Sequence, residues 1–420
     1  MPVDSVEAAV LAAVDEQWLT ARLAELVAVP SVTGSAAESE AQHLLAGWFA
    51  DCGLQVDLWP LDLTALTADP DFPGTEAPRS EGYGLVGTAA GDGAPGLVLS
   101  GHVDVVPAGD RGQWPADPFV PRVLAGAVHG RGACDMKGGL IAALGAARAV
   151  RAAGIELAVP LAVHSVVGEE DGGLGTLGTL RRGHGGAACV IPEPTGGRVV
   201  TGNAGALGFR LTVTGLAAHG AVRDLGTSAF EAFLPVYRAL LALEDDRNRD
   251  VDPRFAGYPR PYALSIGSVR AGEWASTVPD RLVAEGRYGV ALGEPPRAAR
   301  AAFEECVATA CTADPWLRGH QVVVEWTGGQ FGSGSLPAAH PLLAATQQAA
   351  ADATGSEPSE QAAPYGSDLR QYVAAGIPTL HYGPGDVGWA HTPDERVPLA
   401  EVFDVARSLA LLAVRLCGRA

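Results

Sequence analysis

His102 and Asp104 close an apolar run, Leu99-Ser100-Gly101-His102-Val103-Asp104, and stand two positions apart. Side chains alternate along a strand, so the pair shares one face there. An imidazole nitrogen on that face can bind a metal while a nearby carboxylate fixes the ring's tautomer or supplies a second ligand. Further along, Gly130-Arg131-Gly132-Ala133-Cys134-Asp135-Met136-Lys137-Gly138-Gly139 sets Asp135 in a glycine-dense turn, where backbone can crowd a site without side chains in the way. The strand-like run over residues 161–167 opens directly into Gly168-Glu169-Glu170-Asp171. Glu193 is locked between prolines in Val190-Ile191-Pro192-Glu193-Pro194, and Gly388-Trp389-Ala390-His391-Thr392-Pro393-Asp394-Glu395 brings a late histidine.

Two histidines and several carboxylates at strand ends form a nitrogen and oxygen donor set that suits zinc, manganese or cobalt and keeps such ions Lewis acidic. The donors outnumber the needs of one tetrahedral ion. Two ions about 3.5–4 Å apart, bridged by one carboxylate, use them all and leave a water between the metals as nucleophile. Of the neighbours Glu169 and Glu170, one can then ligate while the other accepts the proton of that water.

With these motifs in this order, the chain resembles the di-zinc superfamily of aminoacylases, acetylornithine deacetylases, succinyl-diaminopimelate desuccinylases and glutamate carboxypeptidases over nearly its whole length. The resemblance implies that His102 and Glu193 hold one zinc, that Glu170 and His391 hold the other, and that Asp135 bridges them. It also implies that Asp104 orients His102 and that Glu169 is the general base. In Gly215-Leu216-Ala217-Ala218-His219-Gly220, His219 matches a lid histidine that in dimeric relatives reaches the partner's site to stabilise the oxyanion. The implied activity is removal of a formyl, acetyl or succinyl group from a small N-acylated amine or amino acid, with a dipeptidase or glutamate-type carboxypeptidase as the alternative. The texture of residues 267–274 and 314–317 is nearest to the acetylornithine deacetylase and formylaminopyrimidine deformylase branches.

The chain departs from the family pattern in places. Ser276 stands where many relatives carry asparagine before the Val-Pro turn, and its hydroxyl reaches less far than an amide. Arg287 lies on the strand that usually carries a carboxylate-binding arginine, with shorter spacing from that turn; its planar guanidinium suits such a partner. Tyr365-Gly366-Ser367-Asp368-Leu369-Arg370 resembles the family's Gly-Thr-Asp-Ala-Arg loop, making Ser367 and Arg370 candidate substrate contacts.

Other polar residues have plainer readings. Asp171 reads as a turn or capping residue, His129, His164 and His184 as strand, turn or surface histidines, and Cys134 as a small buried residue. Gly173-Leu174-Gly175-Thr176-Leu177-Gly178 satisfies the dinucleotide-binding spacing, but Glu169, Glu170 and Asp171 precede it and would repel a pyrophosphate. It reads as a glycine-rich helix packed closely on its neighbours.

Positioning these residues requires strands that end together. Helical patterns over 6–28 and 36–52 precede alternating strands and helices as far as Pro194, interrupted by a Pro, Asp and Gly-rich loop over 62–83. This fits an α/β catalytic domain with a mostly parallel sheet and helices on both faces. From residue 206 the rhythm becomes a strand, a helix (228–244), strands (262–269 and 281–290), a helix (296–313) and a strand (321–326), a β-α-β-β-α-β order that fits an inserted ferredoxin-like α+β module. The expected division is a catalytic domain over 1–204 and 329–420, with the module over 205–328. By the resemblance, that module is a lid and dimerisation domain, and the protein a homodimer.

The 420 residues, 47% of them hydrophobic, suffice for two domains with large cores. A net charge of −19 argues against nucleic acid or an anionic membrane as partner. The six cysteines are scattered without a C-x-x-C pair, and the N-terminus lacks a basic and apolar leader pattern. Both suggest a cytoplasmic enzyme with reduced thiols, and the resemblance makes its partner a small-molecule substrate.

Overall fold

The computed structural model describes residues 3–420. Its larger sheet has nine strands, of which Leu161–Val166, Leu97–His102, Cys189–Ile191 and Thr379–His381 run parallel at the centre. Antiparallel strands flank them: Tyr83–Thr88 and Gln55–Pro60 on one side, Val199–Asn203 on the other. The central strands read as unbroken apolar runs because both faces are covered. Leu97 and Leu99 pack with Ile141, Leu144 and Leu409 of helices Gly138–Ala152 and Leu399–Cys417, whereas Val98 packs with Leu369 and Tyr372 of helix Leu369–Ala374 on the opposite face. His102 ends the strand on the face of Val98, where parallel strands open their carboxyl ends to loops.

A second sheet holds strands Leu264–Ala271, Arg281–Val290, Gly205–Thr214 and Val323–Phe331 in that spatial order, all antiparallel. Helices Ala229–Arg247 and Pro296–Ala313 complete the expected β-α-β-β-α-β sequence. Along Gly205–Thr214 buried and half-buried residues alternate, and Leu207, Phe209, Leu211 and Val213 share a core with Phe233 and Phe303 of the helices. One face is therefore covered and the other is left toward solvent. The last strand continues to Phe331, past residue 328.

Three local expectations are corrected. The opening helical pattern is two helices, Ser5–Ala12 and Glu16–Val27, because Asp15 caps the second through the amide of Trp18 at 3.0 Å. The loop over 62–83 contains a short helix, Leu63–Thr67, capped by Asp62. Asp171 accepts the backbone amides of Glu76 and Ala77 as a capping residue would, but it is buried and is also paired with Arg79 at 3.0 Å. The glycine-rich segment is the expected buried helix, Leu174–Arg181, and a Cβ on Gly175 would lie 2.4 Å from the carbonyl of Val167. Among the described residues no helix is long and apolar enough to cross a membrane.

Candidate metal centre

Five strand-end or loop segments bring His102, Asp135, Glu169, Glu170, Glu193 and His391 together. His102 Nε2 lies 3.3 Å from Asp135 Oδ1 and 3.8 Å from Glu193 Oε1. His391 Nε2 lies 3.4 Å from Asp135 Oδ2 and 3.1 Å from Glu170 Oε2. Asp135 thus turns one oxygen to each histidine, and each histidine also faces a carboxylate of its own. Ligand atoms of His102, Asp135 and Glu170 fall within 4.8 Å of one another, a spacing one ion can span. Glu169 differs from its neighbour: among the described residues its buried carboxylate accepts no hydrogen bond, whereas Glu170 faces His391.

Asp104 reaches the His102 ring through its main chain more closely than through its carboxylate. The Nδ1 of His102 bonds at 2.9 Å to the main-chain carbonyl of Asp104, while the Asp104 carboxylate stands 3.6 Å from that nitrogen. That carboxylate instead accepts the amides of Glu169 and Glu170, at 3.2 and 3.1 Å, and the Thr33 hydroxyl at 3.0 Å. The main-chain bond requires Nδ1–H and leaves the Nε2 lone pair for the cluster.

The electrostatics favour a cation. Burial pushes the carboxyls of Glu169 and Glu193 well above the usual range, and neighbouring acids add to it. Bonds to Asp135 and Glu170 raise His391 to about 11. Burial opposes charging of His102, yet Asp135, Glu193 and Asp104 override it and raise that histidine too. Burial likewise opposes ionisation of Asp135, and the two histidines overcome it, holding its carboxyl low. Without a metal the histidines must carry protons to offset crowded carboxylates; a divalent ion performs the same neutralisation. The donors are nitrogen and oxygen, and the nearby Cys134 Sγ is turned to the carbonyl of Asp386 at 3.4 Å. The residues therefore fit a borderline divalent metal.

Glu395, to which the sequence reading assigned no role, is 1% exposed, and its carboxylate accepts the amides of Cys134 and Asp135 at 3.2 Å each. Arg131 pairs with its other oxygen at 2.5 Å and stacks over Trp114. The signal available was an acid four residues beyond His391, but nothing local ties it to Asp135.

The expected substrate contacts are distributed unevenly. Ser367 is buried and bonds His381 Nε2 at 3.0 Å; Arg370 donates to the carbonyls of Ser367 and Gly172 at 2.8 and 2.5 Å and stacks on Phe331. Their polar groups brace the loop instead of presenting themselves to a ligand. Arg287 is exposed and reaches from the second sheet to the Pro364 carbonyl at 3.4 Å. His219 is exposed, its Nδ1 accepting the Ala221 amide at 3.1 Å, and the Ser276 carbonyl accepts the Gly220 amide at 2.7 Å. The structure brings the His219 and Ser276 segments side by side, and within this chain neither residue hydrogen-bonds the acidic cluster.

The chain belongs to the peptidase family M20/M25/M40, whose pattern matches residues 98–415. It is 27% identical over 405 residues to the N-formyl-4-amino-5-aminomethyl-2-methylpyrimidine deformylase of Bacillus subtilis, covering 90% of this chain and 89% of that one. It is 31% identical over 392 residues to the succinyl-diaminopimelate desuccinylase of Paracidovorax citrulli, covering 90% and 92%. An M20 family metallo-carboxypeptidase from Sulfolobus solfataricus shares the fold, with a TM-score of 0.77 at 14% identity over 95% of this chain and 99% of that one. The protein is a hydrolase of amide bonds.

Proposed function

We propose that this protein is a metal-dependent deacylase that removes a small acyl group, of formyl, acetyl or succinyl type, from the nitrogen of a small amine or amino acid. The observation that carries the reading is the division of labour between adjacent acids: Glu170 faces His391, while Glu169 is buried beside the cluster with its carboxylate unengaged. Relatives named as a deformylase and a desuccinylase support the substrate class.

In this reading His102 and Glu193 would hold one zinc ion and Glu170 and His391 a second, with Asp135 available to both. Divalent ions bound there supply Lewis acidity that polarises the scissile carbonyl and makes a water acidic. Glu169 takes the proton from the attacking water and returns it to the leaving nitrogen. Asp104 holds the backbone from which Glu169 projects. Arg287, whose planar guanidinium suits a carboxylate, is assigned in this reading to an acidic substituent of the substrate.

The inserted module acts in this reading as lid and dimer interface. Exposed Leu216, Val222, Leu225, Phe230 and Trp274 support association of two copies there, and His219 then serves the partner's site as oxyanion donor. Free cysteines support a reducing compartment, the cytoplasm.

The test is a screen of zinc-loaded enzyme against N-formyl, N-acetyl and N-succinyl amines and amino acids beside dipeptides. Turnover of the acyl compounds is expected. Cleavage of dipeptides alone would replace this reading with a peptidase.

A further inference from the structure

Glu169 and Glu170 sit in a four-residue segment, 168–171, that is held at every residue. Glu38 Oε1 accepts the amide of Gly168 at 3.1 Å, Asp104 accepts the next two amides, and Asp171 is held through its side chain. Both outer anchors converge on one guanidinium. Arg79 donates from Nε and Nη2 to Glu38 at 3.0 and 3.1 Å, and from Nη1 to both oxygens of Asp171 at 3.0 Å. All three side chains are within 4% of complete burial.

We propose that Arg79 is a positioning residue that sets the reach of Glu169 and Glu170 by locking both ends of the segment that carries them. The inference rests on the reading of Glu169 as base and Glu170 as ligand.

The geometry is specific to arginine. Two carboxylates on different elements are joined by a planar fork, which a lysine's single ammonium cannot reproduce. Gly168 has φ +67°, and a Cβ there would lie 2.7 Å from Arg79 Nη2, so the segment is shaped to receive the guanidinium. Glu38 is further tied by the Gly34 amide at 2.9 Å. Asp171 Oδ2 also accepts the Thr75 hydroxyl at 2.6 Å and the amides of Glu76 and Ala77 at 3.2 and 3.1 Å. The segment that delivers Arg79 is fastened at its start, where the Pro73 carbonyl accepts the Gln330 amide at 2.8 Å. A carboxylate that moves by an ångström loses its alignment with the attacking water, and binding of substrate elsewhere is unaffected.

The experiment compares Arg79→Lys, Arg79→Ala and Asp171→Asn with the parent as zinc-loaded protein, scoring kcat and KM per folded molecule by circular dichroism. The expected result is a fall in kcat of about 10–100-fold with KM within a few-fold, the range seen when a supporting partner of a metal site is lost. Low-millimolar guanidinium chloride should restore part of the kcat of Arg79→Ala and none of that of a Glu169→Gln control. The proposal is overturned if the folded variants keep parental kcat, if activity falls only in proportion to the folded fraction, or if guanidinium rescues nothing. A fully active Glu169→Gln protein overturns the functional reading instead. An inactive Glu169→Gln beside fully active Arg79 and Asp171 variants removes this inference alone.

Discussion

Asp104 holds Glu169 by its backbone: one carboxylate oxygen accepts the Glu169 amide at 3.2 Å, and the other accepts the Glu170 amide at 3.1 Å. The same residue grips His102 through its main-chain carbonyl, so one aspartate links a metal-facing imidazole to the acids opposite. Asp104→Asn keeps the grip on His102 but offers one acceptor oxygen where two amides need one each. Turnover should drop about 10–100-fold, as for other supporting groups of metal sites. Steady-state kinetics with metal analysis checks this; unchanged turnover would show that the two amide bonds are dispensable.

Glu169→Gln preserves size but cannot accept a proton. With zinc retained, kcat should fall roughly 10²–10⁴-fold, the usual cost of losing a general acid–base. Full activity in a zinc-replete variant would remove Glu169 from the mechanism.

His102→Ala and His391→Ala each delete a donor on a different side of Asp135, so each should lower the metal bound per chain without unfolding it. In metal-free protein His391 is raised to about 11, so its stabilising protonation is complete below its ordinary value near 6.5 and is lost as pH rises through about 11. Metal must displace that proton. Zinc binding to metal-free protein should therefore release protons and tighten as pH rises, measurable by calorimetry in buffers of different ionisation enthalpy; pH-independent affinity would contradict the pairing.

His219→Ala should depress turnover with little loss of metal, because His219 lies outside the donor cluster. Mixed with Glu169→Gln under conditions of subunit exchange, it should regain partial activity, since one site of each mixed dimer has both a sound base and a sound lid histidine. Mixed dimers verified by mass that stay inactive would confine His219 to its own chain.

His164 and His381 are fully buried, and burial depresses both to about 3. Unfolding lets them take up protons, so their contribution to stability is present above about 6.5 and is lost as pH falls toward 3. Each should cost roughly 2–3 kcal/mol of stability near pH 4.5 relative to neutral pH. Denaturant melts of His381→Asn beside the parent should show a shallower acid decline; identical slopes would contradict the burial argument.

The donor residues were legible before folding because each sits in a short motif, at the end of an apolar run for His102, Glu170 and Glu193 and in a glycine-containing turn or loop for Asp135 and His391. The inserted module's order of elements was legible too, since alternation along 207–213 and helical spacing over 296–313 are local patterns. Arg79, Glu38 and Glu395 were not legible. Each acts on a residue far along the chain, Arg79 on Asp171 and Glu395 on Asp135, through contacts that no local spacing encodes. Ser367 and Arg370 show the converse: motif resemblance placed them near the site, but only packing reveals that their polar atoms are engaged within the protein.

Local sequence thus determined which side chains are available and which ends of which strands carry them, because alternation and apolar runs obey the geometry of a single segment. Tertiary structure decided how each of the two adjacent acids is held. Glu169 and Glu170 are chemically identical neighbours; their residue types alone left either as base, and only the family resemblance named Glu169. Asp104 pins both amides, His391 takes up the side chain of Glu170, and Glu169 is left free. That distinction arises from partners brought across more than two hundred residues of sequence, where contact depends on the packing of the whole sheet and not on any periodicity within it.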